Sequence, residues 1–497
     1  MPHDRIRFAR PSRAVRRLRA GGCVAAVGLA AGSSLHAESL ADAIALAYQS
    51  NPTLQAQRAT LRATDETYAQ AKAGYGPTAS LQAVVTTENN NEVSAVNSTQ
   101  GVGAVQSSSF GLTISQPLYT GGRVAGAIDA AEAGVRAGRE ALRATEQTII
   151  QNVVQVYVGV RHDQRALEIA DDSVTLLQHQ LDEINARFKV GEITRTDVAQ
   201  TRERVLAARS LRATAEATLA VDRAAYAQVV GQSPGDLDPE PPLDDALPAD
   251  LDKAFDAALR DNPQLLQAAY NERGSAARLA EAEAQTRPTL ALQGSLGYAG
   301  GSAGITTPFA RIGHDFLASA VVTIPIATGG LTTSLIRQAV ETNAADRQGV
   351  ETARRQALFS VSQSWRQLAG LRQNVSIEQE TVEAAKTAFE GSRQEGKVGL
   401  RTTIDVLISE QDLYSAELGL ADAERDKYIA SAALLAATGA LTAKSLAPKV
   451  TAYDPLAHFH RISATPFWAP WEPAVAAADR VGAPAERPAP GPYSKDH

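Results

Sequence analysis

Aromatic residues make up only 5% of the 497-residue chain (12 Tyr, 10 Phe, 3 Trp), and there is one Met and one Cys. A compact core built on large side chains is therefore not the expected design, and a disulfide framework is excluded. Basic residues are not in excess: 48 Lys+Arg stand against 55 Asp+Glu, a net charge of −7, which makes nucleic acid a poor partner. No stretch approaches the roughly 18 uninterrupted apolar residues of a membrane helix. Catalytic signatures give no support either: no H-E-x-x-H occurs, and no His is paired with a nucleophile, so no enzyme activity and no cofactor are expected. His458 and His460 form an H-x-H pair, but no acidic cluster or Cys accompanies them, and they read as tail histidines rather than a metal site.

What is present begins with a basic leader. Arg5, Arg7, Arg10, Arg13, Arg16, Arg17 and Arg19 precede the short apolar run CVAAVGLAA, the pattern of a secretory signal peptide spanning 1–37 and cleaved after Ala37. Cys23 falls at the head of that run, where a lipoprotein cysteine would follow it, so lipidation is not expected. Removing seven Arg and Asp4 subtracts +6, giving a mature charge of −7 − 6 = −13.

The remainder reads as one unit written twice. SLADAIALAYQSNPTL from Ser39 is echoed by DLDKAFDAALRDNPQL from Asp250, SQPLYTGGRV (Ser115 to Val124) by TIPIATGGLT (Thr323 to Thr332), and KVGEITRTDV (Lys189 to Val198) by KVGLRTTIDV (Lys397 to Val406). The order is the same, and the offsets run from 397 − 189 = 208 to 250 − 39 = 211, which makes chance similarity improbable. The organisation that follows is a first repeat over 38–231, a Pro/Asp-rich linker over 232–250, a second repeat over 251–446, and a Pro-rich tail over 447–497. The tail, with Trp468 and Trp471, is expected to be partly disordered, either packed outside the molecule or mobile.

Each repeat changes period along its length. Thr78 to Glu88 and Phe110 to Leu118 in the first copy, and Thr289 to Tyr298 and Phe316 to Ile326 in the second, have strand composition and about the 9 to 11 residues of a tilted membrane strand. Polar loops, Asn89 to Ser108 and Ala299 to His314, separate the members of each pair. After each Thr-Gly-Gly (Gly121, Gly122; Gly329, Gly330) the spacing becomes helical. Val153, Tyr157, Val160, Leu167, Val174, Leu177, Leu181, Ile184 and Phe188 fall on a 3/4 repeat, interrupted by Gln164 and Asp171, which is the seam of a coiled coil. A helix from Gly122 to Phe188 would extend about 100 Å, and Leu331 to Glu395 would do the same. Gly191 and Gly399 end these helices, and a T-x-x-D box (Thr194 with Asp197, Thr402 with Asp405) opens the next helix. The two turns are thus the tips of two helical hairpins.

A strand pair, Thr-Gly-Gly and a long hairpin with a Gly/Asp tip, duplicated behind a signal peptide, resembles the TolC family of bacterial outer-membrane exit ducts, over Glu38 to about Leu446. The resemblance implies a membrane β-barrel joined to a long α-helical coiled-coil barrel: a homotrimeric tunnel, each protomer contributing four of twelve strands, set in outer-membrane lipid with its helices in the periplasm. It implies service in type I secretion or multidrug efflux, with a periplasmic adaptor (membrane fusion protein) and an inner-membrane transporter as partners. Open sheet edges are not viable in lipid, which independently requires chains to combine. At the tips the resemblance makes Asp405 a ring aspartate of the periplasmic aperture and Arg401 its lock, with Asp197 and Thr196 as partners. The second acidic position is Ile408 and the family's tyrosine position is Gly396, so a weaker latch is expected. The alternative for Asp197 and Asp405 is helix capping alone. The alternative for the whole chain is a soluble periplasmic coiled-coil adaptor or scaffold.

Overall fold

The computed structural model describes residues 38–88, 105–303, 312–464 and 470–481. The proposed leader with its cleavage point, most of both inter-strand loops, and Trp468 lie outside the described residues. From Glu38 onward the chain forms one compact unit.

Helices start where the sequence supplies caps. Ser39 and Asp42 close a capping box at the head of α1 (Leu40–Ser50). Asn51 accepts from the amides of Thr53 and Leu54 to open α2 (Pro52–Lys72), with Pro52 in the first turn where a missing N–H costs nothing. In the second copy Asp250 caps α5 (Leu251–Asp261), and Asn262 with Pro263 opens α6 (Pro263–Ala284). The long helices are α3 (Arg123–Lys189) and α7 (Leu331–Lys397), each of 67 residues, about 100 Å at 1.5 Å per residue. Their return helices are α4 (Arg195–Val230) and α8 (Thr403–Ala437).

Four strands, β1 (Thr78–Glu88), β2 (Val105–Tyr119), β3 (Thr289–Ala303) and β4 (Ile312–Thr323), form one antiparallel sheet in sequence order. Three strands extend further toward the loops than composition suggested, because the Gly/Ser-rich ends of β2 and β3 still find ladder partners such as Ser107 with Gly301. β4, by contrast, ends at Thr323 rather than Ile326, since Pro325 has no amide to continue the ladder. The register puts Leu81, Leu112, Leu296 and Phe316 in one row across all four strands, on a face shared with Val85, Phe110, Ile114 and Val322. The other face mixes Ser80, Gln82, Thr113, Gln293, Ser295 and Ser319 with Val84, Leu317 and Val321. The apolar face is bare: Phe316 is 73% exposed, Val85 64% and Leu81 63%. Among the described residues β1 and β4 each have one unpaired edge.

The main core lies midway along α3, where Leu40, Ile44, Val153, Tyr157, Tyr226 and Leu435 are buried together, and a smaller one lies midway along α7 around Val361 and Leu368. The 232–250 segment is a packed element rather than a free linker: Tyr157 donates to the Asp238 carbonyl at 2.7 Å, Arg161 pairs with Glu240, and Leu237 bridges Glu38. The tail is packed where it is described. After α9 (Ala443–Leu446), α10 (Ala457–Ser463) and α11 (Glu472–Asp479) follow α2 toward the sheet. Tyr453 donates its amide to Tyr48, His458 meets Asp65 at 3.0 Å, Phe459 packs on Tyr68, and Glu472 pairs with Lys72 at 3.1 Å. His458 is therefore a partner of a buried aspartate, and no metal-holding group of His, Cys, Asp and Glu occurs among the described residues.

Candidate functional site

The two hairpin tips are built alike. Gly191 takes φ +81° and Gly399 φ +78°, conformations in which a Cβ is strained. Amides then fold back onto the long helix, Glu192 to the Arg187 carbonyl at 3.0 Å and Leu400 to the Glu395 carbonyl at 2.9 Å. The capping boxes close as the sequence indicates: Thr194 donates its amide and hydroxyl to Asp197 at 2.9 and 2.7 Å, and Thr402 does the same to Asp405 at 3.1 and 2.7 Å. The threonine hydroxyl and amide bonds hold both carboxyls below the usual carboxylate range, with Arg401 adding to the effect at Asp405.

The tips of one chain face each other. A cavity of about 250 Å³ is lined by Arg187, Ile193 and Asp197 from one hairpin and by Gly399, Arg401 and Val406 from the other. Above it, Leu177, Val205, Ala208 and Leu407 form an apolar plug between the hairpins. Arg401 does not bond Asp197 or Thr196. Its Nε donates to Glu395 at 2.8 Å, raising the guanidinium pKa. The reason is local: Glu395 and Arg401 flank one tight turn, whereas the Asp197 carboxylate is committed to its cap. The first tip has the same arrangement with signs reversed, Arg187 on the helix and Glu192 in the turn at 3.1 Å. Thr196 is exposed on the first turn of α4. Gly396 has a steric cause, since a Cβ there would lie 3.0 Å from Val406 Cγ2. Glu395 was missed in the sequence although its six-residue spacing from Arg401 across a glycine turn was the available signal. Apolar side chains crown the tips, with Val190 72%, Val398 71% and Leu400 77% exposed.

The strand-to-helix turns, identical in sequence, differ in surroundings. In the first copy the Asp479 carboxylate, wholly buried, accepts from the Thr120 amide at 2.5 Å, the Thr120 hydroxyl at 2.9 Å and the Gly122 amide at 3.1 Å, while Tyr75 donates to it at 3.2 Å. Gly121 is wedged against the α6–β3 turn, its imagined Cβ 2.8 Å from that of Arg287. Gly329 and Gly330 adopt the same left-handed conformation, and an imagined Cβ on either meets no described atom within 4 Å.

The sequence matches the family described as "Outer membrane efflux protein" over residues 43–232 and 254–440, the two repeats. It is 32% identical over 432 residues to the outer membrane efflux protein BepC of Brucella suis biovar 1, covering 87% of this chain and 92% of that one. It is 26% identical over 338 residues to the outer membrane protein TolC of Vibrio cholerae, covering 67% and 77%. Among solved structures, the Campylobacter jejuni CmeC outer membrane channel superposes with a TM-score of 0.71 at 14% identity, covering 86% of this chain and 89% of that one.

Proposed function

The chain belongs to the outer membrane efflux protein family, and on that footing we propose that three copies close their sheets into one twelve-stranded barrel continuous with a helical tunnel. The protein is an outer-membrane channel of the kind used in tripartite efflux and type I secretion. The observation that carries the trimer is the sheet itself: four strands, two unpaired edges, and an apolar face left open to its surroundings. A soluble protein would cover that face, and lipid tolerates it only when no edge remains. Two hairpins about 100 Å long then supply the periplasmic conduit.

At its far end the tips form the gate. Three Asp405 carboxylates would stand around the axis, kept ionised by their caps, with Arg401, Asp197 and Thr196 along the seam between hairpins. Arg401 is held by Glu395 in the single chain, so engaging Asp197 or Thr196 requires that local pair to give way. The crown of Val190, Val398 and Leu400 supplies an apolar surface for a periplasmic adaptor, which links the tunnel to an inner-membrane transporter.

Membrane fractionation and mass measurement in detergent test this reading. The expected result is resistance to alkaline washing and a trimeric mass. Release by alkali as a monomer would leave the soluble scaffold as the better description.

A further inference from the structure

Some 27 residues above the first tip (189 − 162 = 27), the long helix carries a histidine that the gate does not use. His162 is nearly buried, and both ring nitrogens meet carboxylates: Nδ1 lies 2.9 Å from Asp163 Oδ1 on α3, and Nε2 lies 2.9 Å from Asp422 Oδ1 on α8. The Nδ1 contact is a hydrogen bond. The Nε2 contact has ion-pair distance but is out of line for a hydrogen bond, so Nε2 has no hydrogen-bond partner. From α4 comes Asp222, whose Oδ2 sits where a side chain on Gly159 would be, 3.1 Å from its imagined Cβ. From α8, Arg425 reaches His162 Nδ1 at 3.5 Å and pairs with Asp422 at 3.1 Å and Asp426 at 3.0 Å. The neighbouring arginines of α3 are engaged elsewhere, Arg161 with Glu240 and Arg165 with Glu168. The group therefore holds four carboxylates against one permanent cation.

We infer that His162 is the pin of a proton-dependent latch fastening the first hairpin to the return helix of the second, closed when its imidazole is doubly protonated. A neutral imidazole has one N–H. It therefore satisfies one side only: a proton on Nδ1 leaves the Nε2 lone pair facing Asp422 at 2.9 Å, and a proton on Nε2, with Nδ1 accepting from Arg425, leaves the Nδ1 lone pair facing Asp163 at 2.9 Å. Only the doubly protonated ring donates to the carboxylates of both helices at once. Asp222 acts in the same sense: burial, then the adjacent Asp163, push its carboxyl above the usual range. A raised pKa means the packed arrangement is favoured below it and weakened as pH rises through it. The latch tightens in acid and loosens in alkali.

This proposal rests on the reading of the hairpins as a gate. The experiment is single-channel recording in planar bilayers across mildly acid to mildly alkaline pH, with hydrogen exchange along α8 measured in parallel. The wild-type channel should open severalfold more often on the alkaline side, and α8 amides near Asp422 should exchange faster there. H162Q should abolish most of both pH effects and remain near the alkaline level. D422N, made at a half-exposed position that folding tolerates, should reduce them in the same direction. A wild-type channel indifferent to pH, or an H162Q or D422N channel retaining the full wild-type profile, overturns the latch. R401A serves as the control: if it raises conductance while pH has no effect, the gate stands and the latch alone fails. If no form conducts, the channel reading itself is at fault.

Discussion

At the level of single residues, the tips show which contacts a sequence discloses. Both capping boxes and both left-handed glycines were legible because each involves residues within a few positions of one another. The Glu395–Arg401 pair was overlooked because the resemblance directed attention to partners on the other hairpin. The Asp405 carboxyl has a depressed pKa, so its contribution as a cap is present above the ordinary aspartate value of about 3.9 and is lost only as pH falls through the lower folded value. In the proposed ring the cap and Arg401 oppose the mutual repulsion of three carboxylates, which acts to raise the pKa. Multivalent cations should block the wild-type channel at neutral pH, and Asp405→Asn should reduce both the block and the cation preference. If the substituted channel is blocked as before, Asp405 is a cap and nothing more. Gly399→Val should disturb the tip by about 1 kcal/mol or more, the cost of a left-handed β-branched residue, and weaken adaptor binding while the sheet stays intact by circular dichroism.

At the level of elements, the long helices were legible from their 3/4 spacing because a coiled-coil seam repeats the same signal many times over. Strand ends were less so. Gly and Ser in YAGGS and VQSSS resemble loop text, yet cross-strand pairing holds them in the ladder. The two faces of the sheet make a directional forecast. Phe316→Arg places a cation on the bare apolar face, where burial in a bilayer midplane costs about 2–4 kcal/mol, whereas Ser319→Arg projects from the polar face. The first change should deplete assembled protein from detergent-extracted membranes and the second should not. Equal yields for the two would contradict a lipid-facing row running from Leu81 to Phe316.

For the molecule as a whole, duplication was plain in the sequence while the inequality of its copies was hidden, because it depends on contacts such as Thr120 with Asp479, 359 residues apart. Gly121 abuts the α6–β3 turn, and in the proposed trimer repeat symmetry would set Gly329 against the α2–β1 turn of the next protomer. Gly121→Ala should therefore impair folding of each chain. Gly329→Ala should leave the monomer formed but lower the thermal stability of the trimer, read as loss of the heat-resistant band in gel electrophoresis. Were Gly329→Ala silent in the assembled protein, the second turn would not lie at a seam. The buried Asp479 carboxylate also sets an order in time. A chain threaded across a membrane from its amino end delivers Thr120 and Gly122 long before their acceptor, so their amides must wait in water or on a chaperone until Asp479 arrives. On the proposed export route the junction of the first repeat would thus be completed among the last events of biogenesis, and pulse-labelled intermediates arrested before Glu472 should remain open to proteases there.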